Sequence, residues 1–280
     1  EGIVKLEKPV EVLFEGADLN KYFHIDDDNL EETELVSSLD NIEEDFCFLF
    51  VGHWLQGNIG EDRKNVGYMI KAFLEVFKNK KIKPALVLKT SQVNNSVIDR
   101  EEILKKIDAI RQTVKGDLPN VYLLHGDLED KDMNDLYNHG KIKAMVSFTK
   151  GEGFGRPLLE FSLSKKPIIV SNWSGHLDFL HQEYNVFVGG SLTNVHQSAQ
   201  AKDMILGEAQ WFTPNDSDVA EALKNVYSDY KKYIELSKRQ AHHAKTNFSF
   251  DKMAELLDNI LESKVPKQVE LKLPKLKKVQ

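Results

Sequence analysis

Two glutamates frame the most informative stretch of the chain, Ser147-Phe-Thr-Lys-Gly-Glu-Gly-Phe-Gly-Arg-Pro-Leu-Leu-Glu160. Glu152 lies in a glycine-rich turn and Glu160 about one turn into the helix expected to begin near Arg156 or Pro157, so both carboxylates can face the same crevice. Proline suits a first helical turn, where its missing N–H would have gone unpaired anyway. Gly151, Gly153 and Gly155 let the backbone approach a ligand closely, and the free N–H groups at a helix start, with the helix dipole behind them, form an anion site. Carboxylates would repel a phosphate they touched. They serve better as acceptors for hydroxyls, as sugars and ribose offer, while backbone amides hold phosphate. On spacing alone such a turn also occurs as plain structure, and first-turn glutamates as dipole complements. The Gly-x-Gly-x-Gly spacing matches neither the dinucleotide fingerprint nor the P-loop.

The surrounding elements are those of an α/β domain. Strand candidates are Val10–Phe14, Phe46–Val51, Ala85–Lys89, Val121–His125, Ala144–Phe148, Ile168–Val170 and Val186–Val188. Between them, Asn65–Lys78 and Glu101–Val114 place apolar residues at three- and four-residue spacing, and Met133–Tyr137 begins a shorter helix. Apolar strands without polar alternation suit a parallel sheet covered on both faces, so a doubly wound, Rossmann-like sheet is expected. In such a sheet ligands sit at the carboxyl ends of the strands. From Asp216 onward only helices follow, over Val219–Tyr230, Lys231–Asn247 and Asp251–Ser263. The run Asp26–Asp45, with ten carboxylates and no Lys or Arg, reads as an inserted acidic loop. The end, Val265–Gln280, reads as extended or disordered; Lys264–Gln280 carries six lysines against one glutamate.

The net charge of −7 argues against a nucleic-acid binder. The single Cys47, within an apolar run, excludes an internal disulfide and a multi-cysteine zinc site. No secretory leader pattern and no uninterrupted apolar span of about 18 residues is present. A reducing cytoplasm is the expected compartment, and the lysine-rich end offers weak contact with an anionic membrane surface.

On these residues the chain resembles the donor-binding half of the group 1, retaining GT-B glycosyltransferases. Glu152 and Glu160 around Gly153-Phe154-Gly155 resemble that family's signature. Glu15-Gly16-Ala17-Asp18 with Phe23 resembles its junction between two domains. Phe50-Val51-Gly52-His53-Trp54 with Arg63-Lys64-Asn65 resembles the first strand and the phosphate-binding lysine. Leu123-Leu124-His125-Gly126, Ser171–Asp178 and Asn247-Phe248-Ser249-Phe250 resemble later segments, in family order. The resemblance implies one half of a GT-B fold: residues 1–45 junction and acidic loop, 46–263 the donor-binding domain with its C-terminal helices, 264–280 a lysine-rich tail.

It also implies roles. Glu152 would hold donor-sugar hydroxyls and Glu160 the ribose. Gly153, Phe154, Gly155, Arg156, Pro157 and Leu158 would line the sugar-diphosphate, and Lys64 would neutralise the leaving diphosphate. His53, beside Gly52, stands where the family carries arginine, and Arg63 is expected to supply that guanidinium. Asp178 stands at a family glutamate; His125 and Thr90 are further candidates for base or phosphate contacts. The implied reaction is hexosyl transfer from a nucleotide-diphosphate sugar, such as UDP- or GDP-hexose, to an unknown acceptor. It would run with retention, without metal or cofactor, and with an acceptor domain supplied upstream or by another chain. A non-catalytic, glycosyltransferase-like interaction subunit is the alternative. A third reading, Asp26-Asp27-Asp28 as a metal motif, conflicts with the absence of an apolar strand closing on it.

Overall fold

The computed structural model describes residues 8, 10–55, 59–200, 205 and 208–265. Its centre is a six-stranded, all-parallel sheet in the order β3-β2-β1-β4-β5-β6, formed by β1 (Cys47–Val51), β2 (Ala85–Lys89), β3 (Val121–Leu124), β4 (Ile142–Ser147), β5 (Ile168–Ser171) and β6 (Val186–Val188). The chain winds outward from β1 to β3, then returns to pair β4 on the other side of β1. The crevice between the carboxyl ends of β1 and β4 is therefore the topological switch point.

Alternate residues of β1 explain why that strand is apolar throughout. Phe48 and Phe50 enter a core with α2 (Val66–Phe77), α3 (Val97–Thr113) and α6 (Asp216–Ser228). Cys47 and Leu49 enter the opposite core, with α4 (Asp130–Asn138), α5 (Arg156–Ser162) and α7 (Tyr230–Asn247). Both faces of the sheet are covered, and burial pushes the Cys47 thiol up to about 12.

Three expectations need correction, and one pair of strands is unexpected. Residues Val10–Phe14 form no strand: Val10 and Val12 are exposed, so the run has no buried face to hold it against the sheet, and the nearby pairing is an isolated bridge from Ala17 to Ser249. The acidic run is not a plain loop, because it contains helix α1 (Glu34–Asp40). Thr33 caps this helix by accepting the Val36 N–H, and Leu35, Leu39 and Ile42 enter the same core as Leu49. A hairpin of β7 (Gly190–Asn194) and β8 (Gln210–Pro214) precedes α6. Helix α3 begins at Val97, four residues early, because Ser96 caps it through the Asp99 N–H.

The last helix, α8 (Phe250–Lys264), buries none of its side chains; Phe250, Leu257 and Leu261 are exposed. The lysine-rich stretch beyond Val265, read as extended, lies outside the described residues. Among the described residues no helix is long and apolar enough to cross a membrane.

Candidate functional site

The glycine-rich turn leaves β4 and enters α5 at the switch point. Gly155 is the N-cap of α5 at φ 100°, a left-handed conformation that side-chain-bearing residues adopt at a cost. Its carbonyl accepts the Leu158 and Leu159 N–H groups, which starts the helix. The N–H groups of Gly153, Phe154, Gly155 and Arg156 donate to no acceptor among the described residues. With the α5 dipole behind them, these amides can hold an anion.

Neighbouring segments fix the turn from two sides. The Glu152 N–H donates to Ser174 Oγ at 2.7 Å, and the Gly175 N–H to the Glu152 carbonyl at 3.0 Å. Gly175 passes so close that a Cβ there would lie 1.9 Å from the Gly153 carbonyl oxygen, so only glycine fits. From the other side, the Lys150 N–H donates to the Arg63 carbonyl at 2.8 Å, and the Arg63 guanidinium donates to the Gly151 carbonyl.

This stitching brings the β1–α2 loop to the turn. Lys64 Nζ lies 2.6 Å from Glu152 Oε2, both side chains largely buried, and Arg63 reaches the same oxygen at 3.4 Å. Three residues expected to act together, Arg63, Lys64 and Glu152, thus form one cluster beside the free amides. A phosphate arriving on those amides would compete with Glu152 for both cations.

Glu160 lies elsewhere. It does not share Glu152's surroundings, contrary to the expectation of one crevice facing both acids. One helical turn into α5, its side chain points toward α4 and the junction segment and lines a cavity of about 340 Å³ with Glu15, Lys21, Tyr22, Asp130 and Arg156. Glu160 Oε1 accepts from Arg156 Nε at 3.0 Å. Burial raises its carboxyl above the ordinary value, against the opposing pull of Arg156. The wholly buried Tyr137 hydroxyl faces the Glu160 carboxyl and, with Arg156, pulls it down against burial.

The remaining candidates spread along the crevice. Phe154 rests on Phe179 with ring centres 4.9 Å apart; Leu158 is buried, and Pro157 sits in the first turn of α5. His53, after Gly52, places Nδ1 3.2 Å from Ser91 Oγ. His125, at the end of β3, commits Nε2 to Asp99 Oδ2 at 2.9 Å, with both side chains buried. Thr90 Oγ1 is buried without a partner among the described residues. Asp178 is exposed at the end of a short 3-10 turn. The triple aspartate lies at the opposite end of the sheet, where Asp27 accepts the Gly140 N–H just before β4.

Sequence reading missed Ser174, His176 and Asp99. His176, under Gly155, has no partner at Nδ1 among the described residues, while Nε2 donates to the Ser171 carbonyl at 2.8 Å; burial lowers its pKa. The signal for it was the Ser174-Gly175-His176 run, separated from the apolar strand β5 by Asn172 and Trp173.

No protein-family model matches the sequence, and no curated protein matches it either. Solved structures do match in three dimensions. A glycosyltransferase from Rickettsia africae superposes with a TM-score of 0.62 at 15% identity, over 91% of this chain and 57% of that one. The C-terminal domain of the group 1 glycosyltransferase LpcC from Francisella tularensis superposes with a TM-score of 0.57 at 14% identity, over 84% of this chain and 100% of that domain. The architecture is that of a GT-B half-domain. HepE of Anabaena, solved in complex with UDP and glucose, superposes with a TM-score of 0.59 at 14% identity, over 90% of this chain and 57% of HepE. At these identities the likeness is one of fold. The chain spans little more than half the length of the Rickettsia and Anabaena proteins.

Proposed function

We propose that this chain is the donor-binding half of a glycosyltransferase that moves a hexose from a nucleotide-diphosphate sugar to an acceptor. The observation that carries the reading is the Lys64–Glu152 contact at 2.6 Å, with Arg63 beside it, at the mouth of four unpaired amides. The diphosphate takes the amides and draws Lys64 and Arg63 toward itself. Glu152 is then released to accept hydrogen bonds from donor-sugar hydroxyls. As the glycosidic bond breaks, charge grows on the departing diphosphate, and the preplaced cations stabilise it more in the transition state than in the ground state. Glu160, in its separate cavity, takes the ribose hydroxyls once they displace Arg156.

The same reading extends to transfer without a divalent ion, because amides, helix dipole and two cations supply the countercharge; retention of configuration rests on the family resemblance alone. The acceptor site belongs to a second domain, upstream in a longer protein or in another chain. HepE is solved in complex with UDP and glucose and with UDP-glucose, which makes a uridine-nucleotide donor the first to try.

The test is calorimetric titration of the chain with UDP, GDP and ADP, with and without EDTA. We expect one nucleotide to bind, unaffected by the chelator. Absence of binding by all three to folded protein would overturn the reading.

A further inference from the structure

We infer that Trp173, backed by Phe212 of the β7–β8 hairpin, is a stacking platform for a pyranose ring at the edge of the crevice; this rests on the proposed donor reading. Trp173 follows β5 and directly precedes Ser174 and Gly175, the two residues that grip Glu152 and Gly153. It is 40% exposed, whereas Trp54 is 1% exposed in the core.

The rings of Trp173 and Phe212 are parallel within 3°, with centres 6.5 Å apart. Parallel rings in contact at that centre distance are slid far past one another, so Phe212 steadies the indole without covering its face. Phe212 is itself fixed to the glycine turn. Its N–H donates to the Lys150 carbonyl at 3.0 Å, and the Lys150 ammonium lies 5.4 Å above the neighbouring Trp211 ring. Beside the indole, exposed Asn172 accepts from the Gln182 amide at 3.4 Å.

An apolar flat surface with amides at its margin matches a pyranose, which has a face of C–H groups and a rim of hydroxyls. The position also selects sugar over nucleobase. Trp173 adjoins the grip on Glu152, the acid that takes sugar hydroxyls in the proposed reading, and lies away from the Glu160 cavity that takes ribose. The ring can belong to the donor or to an acceptor saccharide; the chemistry is common to both.

The experiment uses the whole chain labelled with fluorotryptophan and followed by fluorine NMR. The Trp173 resonance is the one lost in Trp173→Phe. Probes are methyl α-glucoside, maltotriose, UDP-glucose, UDP and uridine. We expect a sugar-bearing probe to move the Trp173 line and leave the Trp54 line in place. Trp173→Ala should weaken binding of that probe about tenfold with UDP affinity changed less than about twofold, and Trp173→Phe should restore most of the loss. Movement with UDP-glucose alone assigns the donor sugar, and movement with the free glycosides assigns an acceptor subsite. Equal movement with UDP or uridine, no movement with any sugar, or unchanged sugar binding in Trp173→Ala would overturn the platform. Failure of UDP to bind speaks against the donor reading, and a sugar-dependent shift at Trp173 would survive it.

Discussion

On the β4–β5 side of the crevice the chemistry is carried by backbone: free amides, a left-handed Gly155 and a Gly175 with no space for a side chain. On the β1–β3 side it is carried by side chains that meet from distant parts of the chain. Asp99 accepts the N–H groups of Gln92 and Val93 and pairs with His125; Gln92 spans Glu102 and Lys106, whose ammonium lies 5.3 Å from the Trp54 ring centre. A backbone cradle depends on glycine at a few positions and tolerates little change there. A side-chain network distributes the load, so losing one member chiefly costs stability.

That contrast can be broken most directly at Gly175. Gly175→Ala must push the turn off the Ser174–Gly175 segment, costing ~3 kcal/mol of stability and abolishing nucleotide binding; urea unfolding and calorimetry measure the two. An alanine variant that binds UDP normally would show that the cradle is softer than its geometry implies.

Lys64→Ala comes next. It should weaken diphosphate binding by ~2 kcal/mol, the scale of a hydrogen bond to a charged group, and leave uridine affinity unchanged. Equal losses for UDP and uridine would place Lys64 outside the phosphate site.

At Glu160 the sign follows from burial. Its carboxyl sits above the ordinary value of 4.5, so its carboxylate form, which would take the ribose in the proposed reading, is lost at a higher pH than for an exposed glutamate. Nucleotide affinity should therefore fall on acidification while the solution is still above 4.5. Glu160→Gln should bind ~1–2 kcal/mol more weakly at neutral pH and lose this pH dependence. Because the raised carboxyl favours its protonated form in the folded chain, Glu160 disfavours folding increasingly as pH rises through that window. The glutamine variant should gain stability relative to the native chain over the same range, as thermal melts would record.

The smallest effect on binding is expected at Asp99. Against burial, which pushes it up, the Gln92 and Val93 N–H groups and His125 hold its carboxyl below the ordinary value. Asp99→Asn should destabilise the fold by ~1–3 kcal/mol and leave UDP affinity nearly unchanged. A larger loss of affinity than of stability would give the β1–β3 side a direct part in recognition.

The same contrast governs how much the amino-acid sequence reveals. Six parallel strands could be read from unbroken apolar runs, because a strand covered on both faces has no polar alternation. The glycine turn could be read because backbone geometry leaves glycines behind at fixed spacing. Helix α1 escaped notice because Leu35, Val36 and Leu39 lie among carboxylates that dominate the local composition. Strand β7 escaped because its residues are all exposed, so no buried face imprints a pattern. The pairing of Asp99 with His125 joins different elements, and no local rule announces it. The separation of Glu152 from Glu160 depends on how α5 turns against α4, which spacing along one helix does not state.

The lone thiol has a practical consequence. Cys47 is wholly enclosed at the start of the central strand, with its pKa pushed up to about 12. A native molecule should ignore an alkylating reagent that an opened one consumes at once. Labelling rates at this atom therefore report the opening of the sheet's middle, and a bound nucleotide should lengthen the labelling time by a factor of one plus the ratio of free nucleotide concentration to Kd.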